Sequence, residues 1–154
     1  MIATAARLFL SLAERIPLWL VQLFFRVGVS GIFFNAGLGK VQSWSQTVQL
    51  FADEYKVPLL PPEIAAKMAA AVELGCPILL VLGLATRLAT LPMLVMCFVI
   101  GALVYPEFWY EQVLWAGPLL YLLARGPGPL SFDRLLAPFL FSGAGARDHV
   151  LDQR

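Results

Sequence analysis

The sequence predicts an all-α integral membrane protein: a four-helix bundle with both termini cytoplasmic and an interfacial helix in the first outer loop. Three observations carry this. Of 154 residues, 60% are hydrophobic and only 14% charged, where a soluble domain is nearer half apolar and a quarter charged. Four apolar runs approach, with their flanks, the roughly 20 residues that cross a bilayer. Basic residues fall unevenly on the two sides of those runs. The length suits a single membrane domain, 1–154. The formal charge of +1 gives no basic excess for a nucleic acid to attract.

The elements follow in order. Residues 2–16 pattern as an amphipathic helix on the inner surface, with Leu8, Phe9 and Leu12 toward lipid. The first span covers 18–38. It is too long for a signal peptide and lacks a small-residue cleavage site behind it, so it is expected to be retained. The longest connection runs from Val41 to Glu63. There Trp44, Val48, Phe51 and Tyr55 recur at helical spacing, which predicts the short interfacial helix. The segment Val57-Pro58-Leu59-Leu60-Pro61-Pro62 then breaks it and leads into the second span, 64–85, where proline suits a helix start. The third and fourth spans cover 88–105 and 109–124. Backbone polar groups find no water in hydrocarbon, so these runs must be helical. Pro77, Pro92 and Pro118 are tolerated, with kinks expected at Pro77 and Pro118. Arg125-Gly126-Pro127-Gly128 stops the last helix, and 125–154 form a cytoplasmic tail.

Charge sets the orientation. Arg7, Arg15, Arg87, Arg125, Arg134, Arg147 and Arg154 fall on one side, Lys40, Lys56 and Lys67 on the other. The positive-inside rule places the arginine side in the cytoplasm of a multi-pass membrane protein. Trp19, Trp44 and the Tyr105–Tyr110 patch mark the interfaces.

Two charges lie at bilayer depth, Arg26 and Glu73, and each costs about 2.5–3.5 kcal/mol if left alone there. At helical rise, Arg26 is about 12 Å and Glu73 about 18 Å from the inner boundary. An Arg26–Glu73 ion pair between antiparallel spans is therefore expected. It would either fix helix register or form the polar floor of a site for a substrate, a quinone headgroup or a proton path. Arg26, Ser30, Phe33, Gly37 and Lys40 share one stripe of the first span, along which Lys40 would meet Asp53, Glu54 or Glu63. Gly28, Gly31, Asn35 and Gly39 share the other side, suited to close packing, with Asn35 a helix–helix hydrogen-bonding group. The candidate binding set is thus Arg26, Ser30, Lys40, Glu73 and Cys76. Cys76 and Cys97 sit at equal distances from a turn near Thr86–Arg87. They are open to pairing, or are small buried hydrophobes. Two cysteines make no disulfide framework and no metal-ligand spacing, and the single histidine, His149, lies near the end. No haem or metal ligands, nucleophile–base pair or phosphate loop is visible, and no catalytic residue is assigned.

Taken together, these residues resemble the DoxX family of small four-helix bacterial membrane proteins, over roughly Leu23 to Leu136. The resemblance rests on Arg26…Gly31…Phe34…Gly37…Lys40, on Glu73-Leu74, on Leu82-Gly83-Leu84-Ala85-Thr86-Arg87, and on Arg125-Gly126-Pro127-Gly128…Ser131…Asp133. The segment from Phe51 to Glu63 is similar to a branch encoded beside enzymes that modify metal-binding peptides. The resemblance implies a membrane component of a redox system, binding a quinone or a thiol or sulfur compound, and it marks Arg26, Lys40, Glu73, Arg87 and Asp133 as the matching polar residues. Fold alone does not give function, so two further readings stand beside this one. One is a non-catalytic membrane partner for assembly or export of a modified peptide, using Asp53, Glu54, Tyr55 and Trp109 as its contact surface. The other is a small-molecule or lipid carrier. The lipid bilayer is a partner in every case, and the small-residue faces leave homo-oligomer formation open.

Overall fold

The computed structural model describes residues 14–140, together with Arg7 and Leu10. Residues 14–16 form a turn, so the helix expected over 2–16 stops short of them. Leu8, Phe9, Leu12 and the tail beyond 140, including His149, lie outside the described residues.

Among the described residues the structure is helices and turns. α1 spans Leu18–Gln42. α2 spans Trp44–Leu50 and runs into a π turn, Phe51–Tyr55. α3 spans Pro62–Leu82. α4 spans Thr86–Val99 and is extended by a second π turn, Ile100–Val104. A 3-10 turn, Pro106–Phe108, leads to α5, Trp109–Arg125, and α6 spans Phe132–Leu140. α1, α3 and α4 with its extension are long and apolar enough to cross a membrane. α5, at 17 residues, reaches about 26 Å. α1 packs on α3 and α5, and α4 packs on the same two, which closes a four-helix ring.

The ring is filled by Val29, Phe33, Leu80, Met93, Leu119 and Leu122. Its outside is as apolar as its inside: Phe24, Leu88, Val95 and Phe98 are all exposed. In water this would be an aggregation hazard; in lipid it is the solvated face. α1, α3 and α4 continue through their lengths, Pro77 and Pro92 included, and α5 does so past Pro118.

The turns position the polar residues. α3 ends at Leu82, three residues before the expected boundary, because Gly83 takes a left-handed φ of 66°. The Leu84 N–H then donates to the Leu79 carbonyl and the Gly83 N–H to the Leu80 carbonyl, a Schellman ending. The turn between the second and third spans is thus Gly83–Ala85, not Thr86–Arg87, which already belong to α4. At the other end, Phe51, Ala65 and Ala66 form a second small core, closed by Trp44, Val48 and Tyr55. The helical spacing of the long loop therefore docks α2 and its π turn onto the start of α3.

α1 contacts its neighbours through the Arg26 stripe: Arg26, Ser30, Phe33 and Gly37 are all buried. The opposite stripe, Gly28, Gly31, Asn35 and Gly39, faces outward, and a Cβ added at any of its glycines would meet open space. It therefore does not pack against the described helices, and Asn35 makes no helix–helix hydrogen bond among the described residues. Gly37 behaves differently. A Cβ there would come within 2.9 Å of Glu73 Cβ and of Leu74 Cγ, so glycine lets α1 and α3 approach closely.

Candidate functional site

The polar groups of the α1–α3 interface form two separate centres. The first lies on the face of the bundle that carries the Gly83–Ala85 turn. Arg26 is 2% exposed. Its Nε donates to the Leu80 carbonyl at 2.7 Å, and one terminal nitrogen donates to Val81 at 2.5 Å. The other terminal nitrogen donates to Pro127 at 3.1 Å and Leu130 at 2.5 Å. The guanidinium thus sits on the last carbonyls of α3, where a cation is favoured by both hydrogen bonding and the helix dipole, and it ties them to the loop after α5.

The rest of the first centre locks the same loop. The Asp133 carboxylate accepts the Ala85 N–H at 2.6 Å and the Thr86 N–H at 3.0 Å, capping α4 from a distant segment. The Asp133 N–H donates to the Gly83 carbonyl at 2.9 Å. The Ser131 hydroxyl donates to the Gly128 carbonyl at 2.7 Å. Gln22 donates to the Gly126 carbonyl at 3.5 Å, and Arg87, at the surface, donates to Ala124. All four long helices are joined here through backbone carbonyls and amides.

The second centre lies toward the face that carries α2. Lys40 Nζ donates to Glu73 Oε1 at 2.8 Å and lies 2.8 Å from Oε2. The side chains are 18% and 5% exposed, so this pair is shielded from water. The expected Arg26–Glu73 pair does not form. Arg26 is level with Leu80, two residues from the end of α3, although it is eight residues inside α1. The two helix ends are offset by about six residues, or about 9 Å, and this offset carries Glu73 up to Gly37 and Lys40. Lys40 likewise does not meet Asp53, Glu54 or Glu63; Glu63 pairs with Lys67 on its own helix. Ser30 lies between the centres and donates to the Pro77 carbonyl at 3.1 Å. Cys76 packs half-buried beside the core.

Replacing Glu73 alone by alanine is expected to lower the unfolding midpoint more than replacing Glu73 and Lys40 together by leucine and methionine. The single change strands a buried ammonium, whereas the double change leaves an apolar contact. Unfolding with a denaturing detergent checks the order.

The face with α2 also carries a bonded cap. Both π turns close with five-residue hydrogen bonds, from the Lys56 N–H to Phe51 at 3.1 Å and from the Tyr105 N–H to Ile100 at 2.8 Å. The Tyr105 hydroxyl donates to Glu54. The Tyr55 and Tyr105 rings meet edge-on at 5.7 Å, Tyr105 meets Phe108 at 6.4 Å, and Tyr110 meets Trp109 at 6.5 Å. Hydrogen bonding to Glu54, then burial, pushes the Tyr105 phenol well above its ordinary range, and burial pushes Tyr55 up. Asp53, Glu54 and Trp109 are exposed on this cap, with Tyr55 half-buried among them.

A groove of about 300 Å³ lies between α4 and α5, lined by Leu94, Cys97, Phe98, Gly101, Gln112 and Trp109 among others. Of the sequence-selected residues only Trp109 borders it; Arg26, Ser30, Lys40, Glu73 and Cys76 do not. Cys97 was considered only for pairing with Cys76 and Gln112 was missed; Gly101, which lets Gln112 approach, is a sequence signal that could have pointed to this wall. Cys76 and Cys97 are both free thiols. The protein purified under oxidising conditions is expected to give two thiols per chain when unfolded and titrated. Among the described residues no group of three His, Cys, Asp or Glu side chains gathers as a metal site.

Compared with known families, residues 21–106 match the DoxX family model, more than half of the chain. The chain belongs to the DoxX family. No curated protein and no solved structure matches it. In this DoxX protein the motif residues of the first two spans build both polar centres. The Gly126–Asp133 segment, beyond the matched residues, completes the first of them.

Proposed function

We propose that this DoxX protein is a non-catalytic membrane subunit of a redox or peptide-modifying system in the bacterial inner membrane. In this reading the face with α2 points outward and docks the partner that carries the chemistry. The observation that supports it best is the cap. Two π turns, joined by the Glu54–Tyr105 bond and the Tyr55–Tyr105 ring contact, hold Asp53, Glu54, Trp109 and Tyr110 exposed on a braced surface. Exposed aromatics beside acids, on a support that loses little freedom on binding, are suited to recognising a partner. Arg26, Lys40 and Glu73 serve this function as scaffold, since each is bonded within the bundle. A photo-crosslinking residue at Asp53 or Trp109 is expected to give a discrete protein adduct in native membranes, while one at lipid-facing Val95 gives none. Silence at both cap positions would refute the docking role.

A second reading keeps a quinone as ligand, in the groove between α4 and α5 rather than beside Arg26 and Glu73. The groove is lined almost wholly by apolar surface, with Gln112 and Trp109 among its lining residues. Added quinone should then quench Trp109 fluorescence, and Ala116→Trp, which fills the groove, should abolish the effect.

A further inference from the structure

Among the described residues, three other than glycine hold a left-handed backbone: Lys56 at φ 41°, Leu59 at 70° and Ala85 at 47°. Two of them have a bond that explains it. Lys56 closes the first π turn, and Ala85 is held by Asp133. Leu59 has no such bond among the described residues, and its side chain is 101% exposed. It follows Pro58 at the second centre of a turn, the position where a positive φ favours glycine. A leucine there carries steric strain, and among the described residues no hydrogen bond of Leu59 offsets it.

The neighbouring residues indicate what does. α3 begins three residues later, and its Ile64 and Met68, one turn apart, are exposed with the rest of the lipid-facing surface. Leu59 and Leu60, just before the helix start, are exposed as well. Exposed Lys56 precedes these leucines and the exposed Lys67–Glu63 pair follows them in the first turns of α3; lysine stems are long enough to reach lipid headgroups. Burying a leucine in an apolar medium returns more than a left-handed backbone costs.

We propose that Leu59 and Leu60 form an apolar toe inserted at the headgroup–acyl boundary of the leaflet on the α2 side. The lipid surface is the partner that compensates the strained turn. The toe pins the end of the cap to the bilayer and sets its height, and it does so whether or not a protein docks above.

The test uses the full chain in phosphatidylcholine vesicles, with Leu59→Cys in a Cys76→Ala, Cys97→Ala background, labelled with an environment-sensitive fluorophore. Asp53→Cys is the control. The label at 59 should emit to the blue of the control, be quenched at least twofold more by bromine-labelled lipid, and resist aqueous iodide. Emission and iodide quenching equal to the control, or a blue shift that requires a second protein, would overturn the proposal. An unlabelled check uses Leu59→Gly, which removes the fully exposed side chain of the toe and leaves Leu60 in place. It should raise the reactivity of Lys56 toward an aqueous amine reagent at least twofold, and unchanged reactivity would also overturn the proposal.

Discussion

Replacing Arg26 by alanine is expected to be the most damaging single change in the chain. The guanidinium serves four carbonyls on two segments, at a site almost closed to solvent. Hydrogen bonds from a charged donor are worth about 1.5–3 kcal/mol each and are not additive. Removing the donor leaves carbonyls of Leu80, Val81, Pro127 and Leu130 short of partners, so a loss of about 3–5 kcal/mol is expected. Lysine keeps the charge but not the planar fork, and should fall between wild type and alanine. Arg87→Ala removes one bond of 3.3 Å at the surface and should cost less than about 1 kcal/mol. Detergent-induced unfolding of the purified variants measures all three. A tolerant Arg26→Ala would mean that the loop after α5 is held some other way.

Gly83→Val is expected to come close behind. A Cβ at this position would lie 2.6 Å from Ser131 Cβ and 2.7 Å from an Arg26 nitrogen. The positive φ adds about 1–2 kcal/mol of strain for any residue with a Cβ. The valine would therefore strain the turn and push Arg26 off the α3 carbonyls at once. Asp133→Ala attacks the same assembly from its other side. It removes both acceptors that cap α4 and should cost about 1–2 kcal/mol. Gly83→Val and Arg26→Ala should be less than additive, because each disrupts what the other needs. Additive losses would show that the turn and the guanidinium act independently.

Much of the architecture was legible because lipid leaves few choices. Apolar runs of spanning length had to be helices, and helical phase grouped Arg26, Ser30, Phe33 and Gly37 on one stripe, which is the buried one, although close packing was expected of the opposite side. The partners along that face were not legible. Backbone carbonyls carry no sequence signature, so an arginine that caps a helix end reads the same as one awaiting a carboxylate. Depth arithmetic assumed flush helix ends, and the six-residue offset between α1 and α3 was enough to exchange Lys40 for Arg26 as the partner of Glu73. The helix end itself was set by Gly83, whose left-handed conformation three residues before the expected boundary could have been suspected from Leu82-Gly83-Leu84 alone. The outward glycines of α1 show the opposite limit, since their spacing signals close packing but does not say whether the packing is inside the chain. The polar residues that the resemblance marked make structural contacts: Arg26 and Asp133, meeting at the Gly83 turn, fasten the helices at one end, and Lys40 with Glu73 fastens them nearer the other.

The most direct measurement is a pair of double-mutant cycles on the unfolding free energy, one joining Glu73 to Lys40 and one joining Glu73 to Arg26. Two separate polar centres predict a coupling of about 1 kcal/mol or more for Glu73 with Lys40, and additivity within about 0.5 kcal/mol for Glu73 with Arg26. Strong coupling of Glu73 to Arg26, with none to Lys40, would contradict the arrangement described above.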